Sequence, residues 1–226
     1  MTAIIIGASG GIGAALTEAL REEGVSVRGF ARSFAPPDRL DLTDEGSIAA
    51  AAASLTSPPE LVIVATGILQ ADGHGPEKSM AELNHDWLAR QYAVNTIGPA
   101  LIAKHFLPLM PRAGRTVFAA LSARVGSISD NRLGGWYGYR ASKAALNQMV
   151  RSLAVEQRRR NTSSIVVALH PGTVDTALSR GHTANVPAGR LFDPARAAVQ
   201  LLDVIDGLRP TDSGKLIAWD GQEIAP

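Results

Sequence analysis

Tyr139-Arg140-Ala141-Ser142-Lys143 sets a phenol and an ammonium four residues apart, and on a helix that spacing places both on one face. An unperturbed phenol titrates near ~10, too high for efficient proton transfer at neutral pH. A neighbouring ammonium stabilises the phenolate and lowers that value. The pair thus has the makings of a proton donor. On its own, the same spacing is more often a solvated helix face. The residues upstream decide between the two.

Upstream lies Gly7-Ala8-Ser9-Gly10-Gly11-Ile12-Gly13, between an apolar run and a helical stretch. A tight turn almost without side chains lets backbone N–H groups approach a pyrophosphate, and a helix N-terminus behind it adds a favourable dipole. A lone glycine-rich turn is weak evidence; a strand before it and a helix after it are the context that supports dinucleotide binding. The end of the second strand selects the dinucleotide. An acidic residue there holds a ribose 2′-hydroxyl, whereas an arginine accommodates a 2′-phosphate. The chain has Gly29-Phe30-Ala31-Arg32-Ser33, with no carboxylate, so Arg32 and Ser33 point to NADP(H).

The elements that must position these groups follow from the apolar pattern. Strands are expected at Ala3–Gly7, Val25–Ala31, Leu61–Thr66, Arg115–Ser122, Ser164–His170 and Lys215–Trp219, with a shorter one at Arg39–Asp41. Their near-continuous Val, Ile, Leu and Ala content suits parallel strands buried on both faces. Helices are expected at Ile12–Glu23, Asp44–Ser54, Trp87–Leu109, Tyr137–Arg160 and Pro194–Leu208, with Asp44 and Asp193 as caps and Pro194 in a first turn. This alternation predicts an α/β fold: one doubly wound Rossmann domain over residues 1–226, built on a seven-stranded parallel sheet. Two long loops remain, Gln70–Met80 and Ala177–Phe192. The second is expected to be a flexible substrate loop, with Leu178, His182, Val186, Leu191 and Phe192 suggesting a partly apolar ligand.

Composition narrows the function classes. With 22 Lys+Arg against 21 Asp+Glu, no polyanion-binding surface is indicated, and no nucleic-acid partner is expected. Cysteine is absent, which removes disulfides and thiolate chemistry and fits a reducing, cytoplasmic setting. No run approaches the ~20 apolar residues of a membrane helix. The histidines His74, His85, His105, His170 and His182 lack metal-ligand spacing, so no metal site is assigned. His170 ends a strand near the expected cofactor, either as a contact or as a packed structural residue, and His182 is placed to touch a substrate.

Taken in order, the Gly7–Gly13 turn, Asp41-Leu42, Val94-Asn95, the Tyr139/Lys143 pair, and Pro171-Gly172 followed by Thr176 resemble the short-chain dehydrogenases/reductases along essentially the whole chain. The Trp136–Lys143 neighbourhood is most similar to the branch of C-factor-like proteins and sniffer-type carbonyl reductases. The resemblance implies that Gly7, Ser9, Gly10, Gly11, Ile12 and Gly13 cradle the cofactor, and that Asp41 with Leu42 contacts adenine. Gly67, Pro171, Gly172 and Val174 would line the cofactor's path. It further implies that Asn95 fixes a helix and a relay water, that Lys143 also holds the nicotinamide ribose, and that Thr176 holds the carboxamide. A small carbonyl or alcohol substrate and a homodimer or homotetramer, packed through the long helices, are implied as well.

Two departures stand out. The family's Asn-Asn-Ala-Gly after the fourth strand is replaced by Val64-Ala65-Thr66-Gly67. The catalytic serine, normally three residues before a glycine, falls in register on Ala123 of Leu121-Ser122-Ala123-Arg124-Val125-Gly126. Ser122, one residue early, is the expected substitute and requires a bulge to re-aim it, because adjacent strand residues face opposite ways. Ser127, Ser129 or no serine are the alternatives. Two functions are therefore carried forward: an NADP(H)-dependent carbonyl/alcohol oxidoreductase with Tyr139 as general acid/base, and a dinucleotide-binding signalling or regulatory protein with vestigial catalysis. A sugar-nucleotide epimerase of the related longer family is not expected, since little chain follows the last strand to form a substrate domain.

Overall fold

The computed structural model describes residues 1–184, 186–187 and 189–226. Its strands are β1 (Thr2–Ile6), β2 (Ser26–Phe30), β3 (Leu61–Val64), β4 (Thr116–Leu121), β5 (Ser164–His170), β6 (Thr173–Val174), β7 (Leu191–Phe192), β8 (Leu216–Ala218) and β9 (Glu223–Ile224). The main helices are α1 (Gly11–Glu22), α2 (Glu45–Ala53), α3 (His85–Tyr92), α4 (Gly98–Phe106), α5 (Tyr137–Arg158) and α6 (Pro194–Gly207). Seven strands form one sheet in the order β2-β1-β3-β4-β5-β8-β9.

Both faces of the sheet are covered, which explains why the strands lack polar alternation. Ile4, Val62, Phe118 and Val166 turn one way and meet Ile48 of α2, Ile102 and Phe106 of α4, and Leu146 and Val150 of α5. Ile5, Ile63, Ala119 and Val167 turn the other way onto Leu16 and Leu20 of α1 and Leu201 and Ile205 of α6. Each large side chain fully buried in these layers contributes roughly 1.5–3 kcal/mol. The caps form as expected: Asp44 accepts the Gly46 N–H at 2.9 Å, and Asp193 accepts the Arg196 N–H at 2.8 Å.

Three expectations need correcting. The sheet is not wholly parallel, because β9 runs antiparallel to β8 with Leu216 opposite Ile224. Arg39–Asp41 is not the seventh strand; it contributes one bridge, Ala31 to Arg39. Prolines 36 and 37 precede it without N–H donors, and the Asp41 N–H goes to Ser47 Oγ at 3.0 Å instead of a ladder. The stretch expected as one helix over Trp87–Leu109 is α3 and α4 joined by a π-turn at Ala93–Ile97 and closed by a 3-10 turn at Leu107–Leu109.

Chain direction across the sheet reverses at β1, with β2 on one side and β3 on the other. The crevice above the strand ends at such a switch point is where α/β sheets hold ligands. The segments leaving β1, β3, β4 and β5 all emerge there. Among the described residues, no helix is long and apolar enough to cross a membrane, and no group of three or more His, Cys, Asp or Glu side chains is placed to hold a metal.

Candidate active site

The glycine turn leaves β1 with Gly7 at φ +91°, a left-handed conformation that a side chain would strain. A Cβ on Gly13 would stand 2.1 Å from the Gly7 carbonyl oxygen, so α1 packs on its own turn only with glycine there. A Cβ on Gly11 would meet Thr176 at 2.8 Å, which puts the turn against the segment after β5. Whereas Asp44, Asn84 and Asp193 cap α2, α3 and α6, α1 has no side-chain cap and no acidic residue in its first turn. Its first N–H groups and positive dipole are thus left for an external anion. The residues present fit a dinucleotide pyrophosphate. Gly13→Ala should destabilise the protein by roughly 1–3 kcal/mol through overpacking, measurable by urea denaturation.

Arg32 and Ser33 follow β2 on the surface. Asp41 lies close enough for the Arg32 charge to act on it, and its carboxyl sits below the usual range chiefly because it accepts the Thr43 N–H at 3.0 Å. Leu42 is buried where a Cβ on Gly98 would strike it at 2.8 Å, so this loop is pinned to α4.

Tyr139 and Lys143 lie one turn apart on α5, 7% and 3% exposed, with Nζ 5.8 Å from the phenol ring centre. Lys143 Nζ donates to the Leu121 carbonyl at 2.8 Å. Burial lowers the ammonium to about 7 and raises the phenol to about 12. The expectation that Lys143 holds the phenol down is therefore not met in this state: desolvation disfavours both charges and outweighs their attraction. The phenol is protonated at neutral pH, the form a proton donor needs.

Asn95 is wholly buried in the π-turn, a helix irregularity frequent at functional sites. Its Oδ1 accepts the Ile68 N–H at 2.8 Å, and its Nδ2 donates to the Ile68 carbonyl at 2.9 Å and to Ser142 Oγ at 3.1 Å. Ser142 Oγ in turn donates to the Tyr139 carbonyl at 2.9 Å. The turn after β3, the π-turn and the Tyr139–Lys143 helix are thus joined by one carboxamide. Gly67 is the contact point: a Cβ there would lie 3.4 Å from Asn95 Oδ1 and 3.5 Å from Lys143 Nζ.

Tyr139 opens on a cavity of about 340 Å³ lined by Leu69, Val125, Trp136, Val174, Leu178 and His182, among others. Pro171, Gly172 and Thr176 form its cofactor side, next to Ile12. A larger cleft of about 530 Å³ beside α6 holds none of the residues singled out for chemistry. Ser122 borders the cavity, but its hydroxyl donates to Asn147 Oδ1 at 2.7 Å. Leu121 packs on the α1/α6 side, so strand alternation turns Ser122 toward α5, and no bulge re-aims it. Its proton is spent on Asn147 and not offered to a substrate. Ser127 accepts the Asp130 N–H at 3.1 Å within its own loop, Ser129 donates to the distant Pro226 carbonyl at 2.6 Å, and neither lines the cavity. His170 also lines the cavity. Burial, reinforced by the Arg124 charge, pushes it down to about 4, so it is neutral, and its Nδ1 has no partner among the described residues.

Four residues absent from the sequence-based site stand out here: Glu77, Gln70, Trp136 and Asn147. Gln70 Oε1 pairs with His182 Nε2 at 3.1 Å and ties the loop before β7 to the segment after β3. The His182 ring meets Trp136 edge-on at 5.5 Å, and Trp136 meets Tyr139 at 6.2 Å. Residues 185 and 188 of this loop lie outside the described residues; its last two form β7, paired with β6.

A family model described as short chain dehydrogenase matches residues 1–186. The chain belongs to that family. Among relatives, C-signal of Myxococcus xanthus is 33% identical over 169 residues, covering 75% of this chain and 93% of that protein. The 1-hydroxy-2-glutathionyl-2-methyl-3-butene dehydrogenase of Rhodococcus sp. (strain AD45) is 30% identical over 233 residues, 97% of each. Among solved structures, NADPH-bound carbonyl reductase from chicken fatty liver superposes with a TM-score of 0.84 at 26% identity, covering 100% of this chain and 98% of that one. In this short-chain dehydrogenase, the turn after β3 is braced from outside, by the Asn95 carboxamide on Ile68.

Proposed function

We propose that this short-chain dehydrogenase is an NADP(H)-dependent oxidoreductase that interconverts a carbonyl and an alcohol, with Tyr139 as general acid/base. The observation that carries the reading is the protonated, buried phenol facing an apolar cavity beside an uncapped, glycine-lined helix N-terminus. NADPH, when bound, supplies the hydride. Gly7, Ser9, Gly10, Gly11, Ile12 and Gly13 would cradle its pyrophosphate, Arg32 and Ser33 its 2′-phosphate, and Asp41 with Leu42 its adenine. Gly67, Pro171, Gly172, Val174 and Thr176 would flank the nicotinamide end. The bound forms of the chicken carbonyl reductase and of a Burkholderia multivorans relative with NADP support this choice.

Tyr139 donates its proton to the developing alkoxide, and Lys143 and Asn95 hold the helix and the turn around it. With Ala123 in the serine position and the Ser122 proton committed to Asn147, Tyr139 is the donor the substrate oxygen depends on. The exposed Ile97, Met149 and Val155 on and beside α4 and α5 suit pairing of two copies through those helices. Titrating NADPH and then following its oxidation across a panel of aldehydes and ketones tests the reading: saturable turnover is expected. Tight binding with no turnover on any of them favours the second reading, a dinucleotide-responsive regulator. Arg32→Ala should weaken NADPH binding by about 10- to 100-fold, the worth of a charged hydrogen bond, and leave NADH binding unchanged; isothermal titration with both cofactors checks it.

A further inference from the structure

The loop between β3 and α3 delivers a buried carboxylate to the front of the catalytic helix. Glu77 is 2% exposed. Its Oε2 accepts the Gly138 N–H at 3.1 Å, and its Oε1 accepts Gln91 Nε2 at 3.1 Å. Its own carbonyl accepts the Trp136 N–H at 2.5 Å. Trp136 stands just ahead of α5 at φ +53°, ψ +40°, a left-handed conformation that a bulky side chain adopts only when its surroundings enforce it.

Helix α5 has no cap from the side chain at its own N-terminus. Glu77, 61 residues away in sequence, satisfies a first-turn N–H and places negative charge where the helix dipole favours it. Room for this arrangement depends on Gly138, since a Cβ there would stand 2.4 Å from Gln91 Nε2. Tyr139 is the next residue.

We propose that Glu77 is the positioning residue of the proton donor: it caps α5 and pins Trp136, so that the Tyr139 phenol is held at one height and tilt in the cavity. The inference rests on the reductase reading of Tyr139. The other charged or titratable groups around Tyr139 are Lys143 on the same helix, Arg124 after β4, His170 at the end of β5 and His182 before β7.

Two variants of the full chain, Glu77→Ala and Glu77→Gln, test the inference. Glu77→Gln keeps an acceptor for Gly138 but removes the charge. Without any substrate, hydrogen exchange in the peptide spanning residues 136–143 should accelerate at least about tenfold in Glu77→Ala and stay near wild type in Glu77→Gln. This readout stands even if no carbonyl is turned over, so it separates failure of the inference from failure of the reductase reading. With a substrate from the panel, Glu77→Ala should lose about tenfold or more in kcat, with the NADPH Kd within about twofold of wild type. Glu77→Gln should recover most of that turnover. Unchanged exchange and turnover in Glu77→Ala overturns the proposal, as does parallel loss of NADPH binding that glutamine fails to restore. Should Glu77→Ala not fold, Glu77→Asp, whose shorter side chain draws the carboxylate back from the Gly138 N–H, takes its place, and unchanged exchange and turnover in that variant overturn the proposal.

Discussion

Tyr139→Phe should lower kcat for carbonyl reduction by about 10²–10⁴-fold, the usual worth of a positioned general acid, and leave the NADPH Kd nearly unchanged. The separation is expected because the hydroxyl carries chemistry and not structure. Among the described residues it makes no hydrogen bond, while the ring that phenylalanine retains packs edge-on against Trp136 at 6.2 Å. The interactions that tie this residue to the site run through its carbonyl, which accepts Ser142 Oγ. Circular dichroism and thermal melting of the variant should therefore match wild type. The Ser122 proton is committed to Asn147 and neither Ser127 nor Ser129 lines the cavity, so none of these three serines is in place to take over. Wild-type turnover by Tyr139→Phe would remove Tyr139 from the mechanism.

Lys143→Met should stabilise the protein while disabling it. Burial takes the ammonium from 10.5 in the unfolded chain to about 7 in the folded one. A depressed lysine is a cost that is complete below about pH 7, where both states are charged. Between about pH 7 and 10.5 the unfolded chain binds more protons, so stability rises with pH and the cost fades. A depression of this size is worth roughly 5 kcal/mol. Against it stands the Leu121 carbonyl, which loses its Nζ partner at a cost of roughly 1–3 kcal/mol. The charge wins. Calorimetry should show a higher Tm for Lys143→Met at about pH 6, by at least the 2–4 °C that roughly 1 kcal/mol brings in a domain this size, with the gain shrinking by about pH 10. Turnover should fall about 10²-fold or more. A lower Tm at about pH 6 would mean that the ammonium is not desolvated as its surroundings indicate.

Much of the fold was legible because its signals are local. Strands such as Leu61–Val64 and Ser164–His170 carry unbroken β-branched and aliphatic runs, and Asp44 and Asp193 announce their helices within three residues. The π-turn at Ala93–Ile97 was not legible, since one extra residue in a helical turn leaves the apolar spacing of Trp87–Leu109 almost intact. Arg39–Asp41 has the composition of a strand but spends its backbone donor on Ser47. For the site, Tyr139, Lys143 and Asn95 come together as their order in the chain suggests. Ser122 shows the limit of register reasoning: alternation alone turns it to Asn147, and only the side chain's partner shows where its proton goes. Glu77 had no signal at all. A carboxylate in a polar loop looks solvated until the helix it meets, 61 residues on, is in view.

The Asn95 carboxamide engages Ile68 through both of its ends, accepting from the N–H and donating to the carbonyl. That is the exchange one peptide unit makes with another, so the side chain acts as a surrogate rung of backbone between a helix and a loop. A peptide mimic needs a donor and an acceptor at once. Aspartate, though the same shape, would bring a second acceptor against the Ile68 carbonyl and lose Ser142 as well. The turn that would carry nicotinamide is therefore stiffened by a group belonging to another layer of the fold, so a shift in that layer would be passed directly to the proposed site.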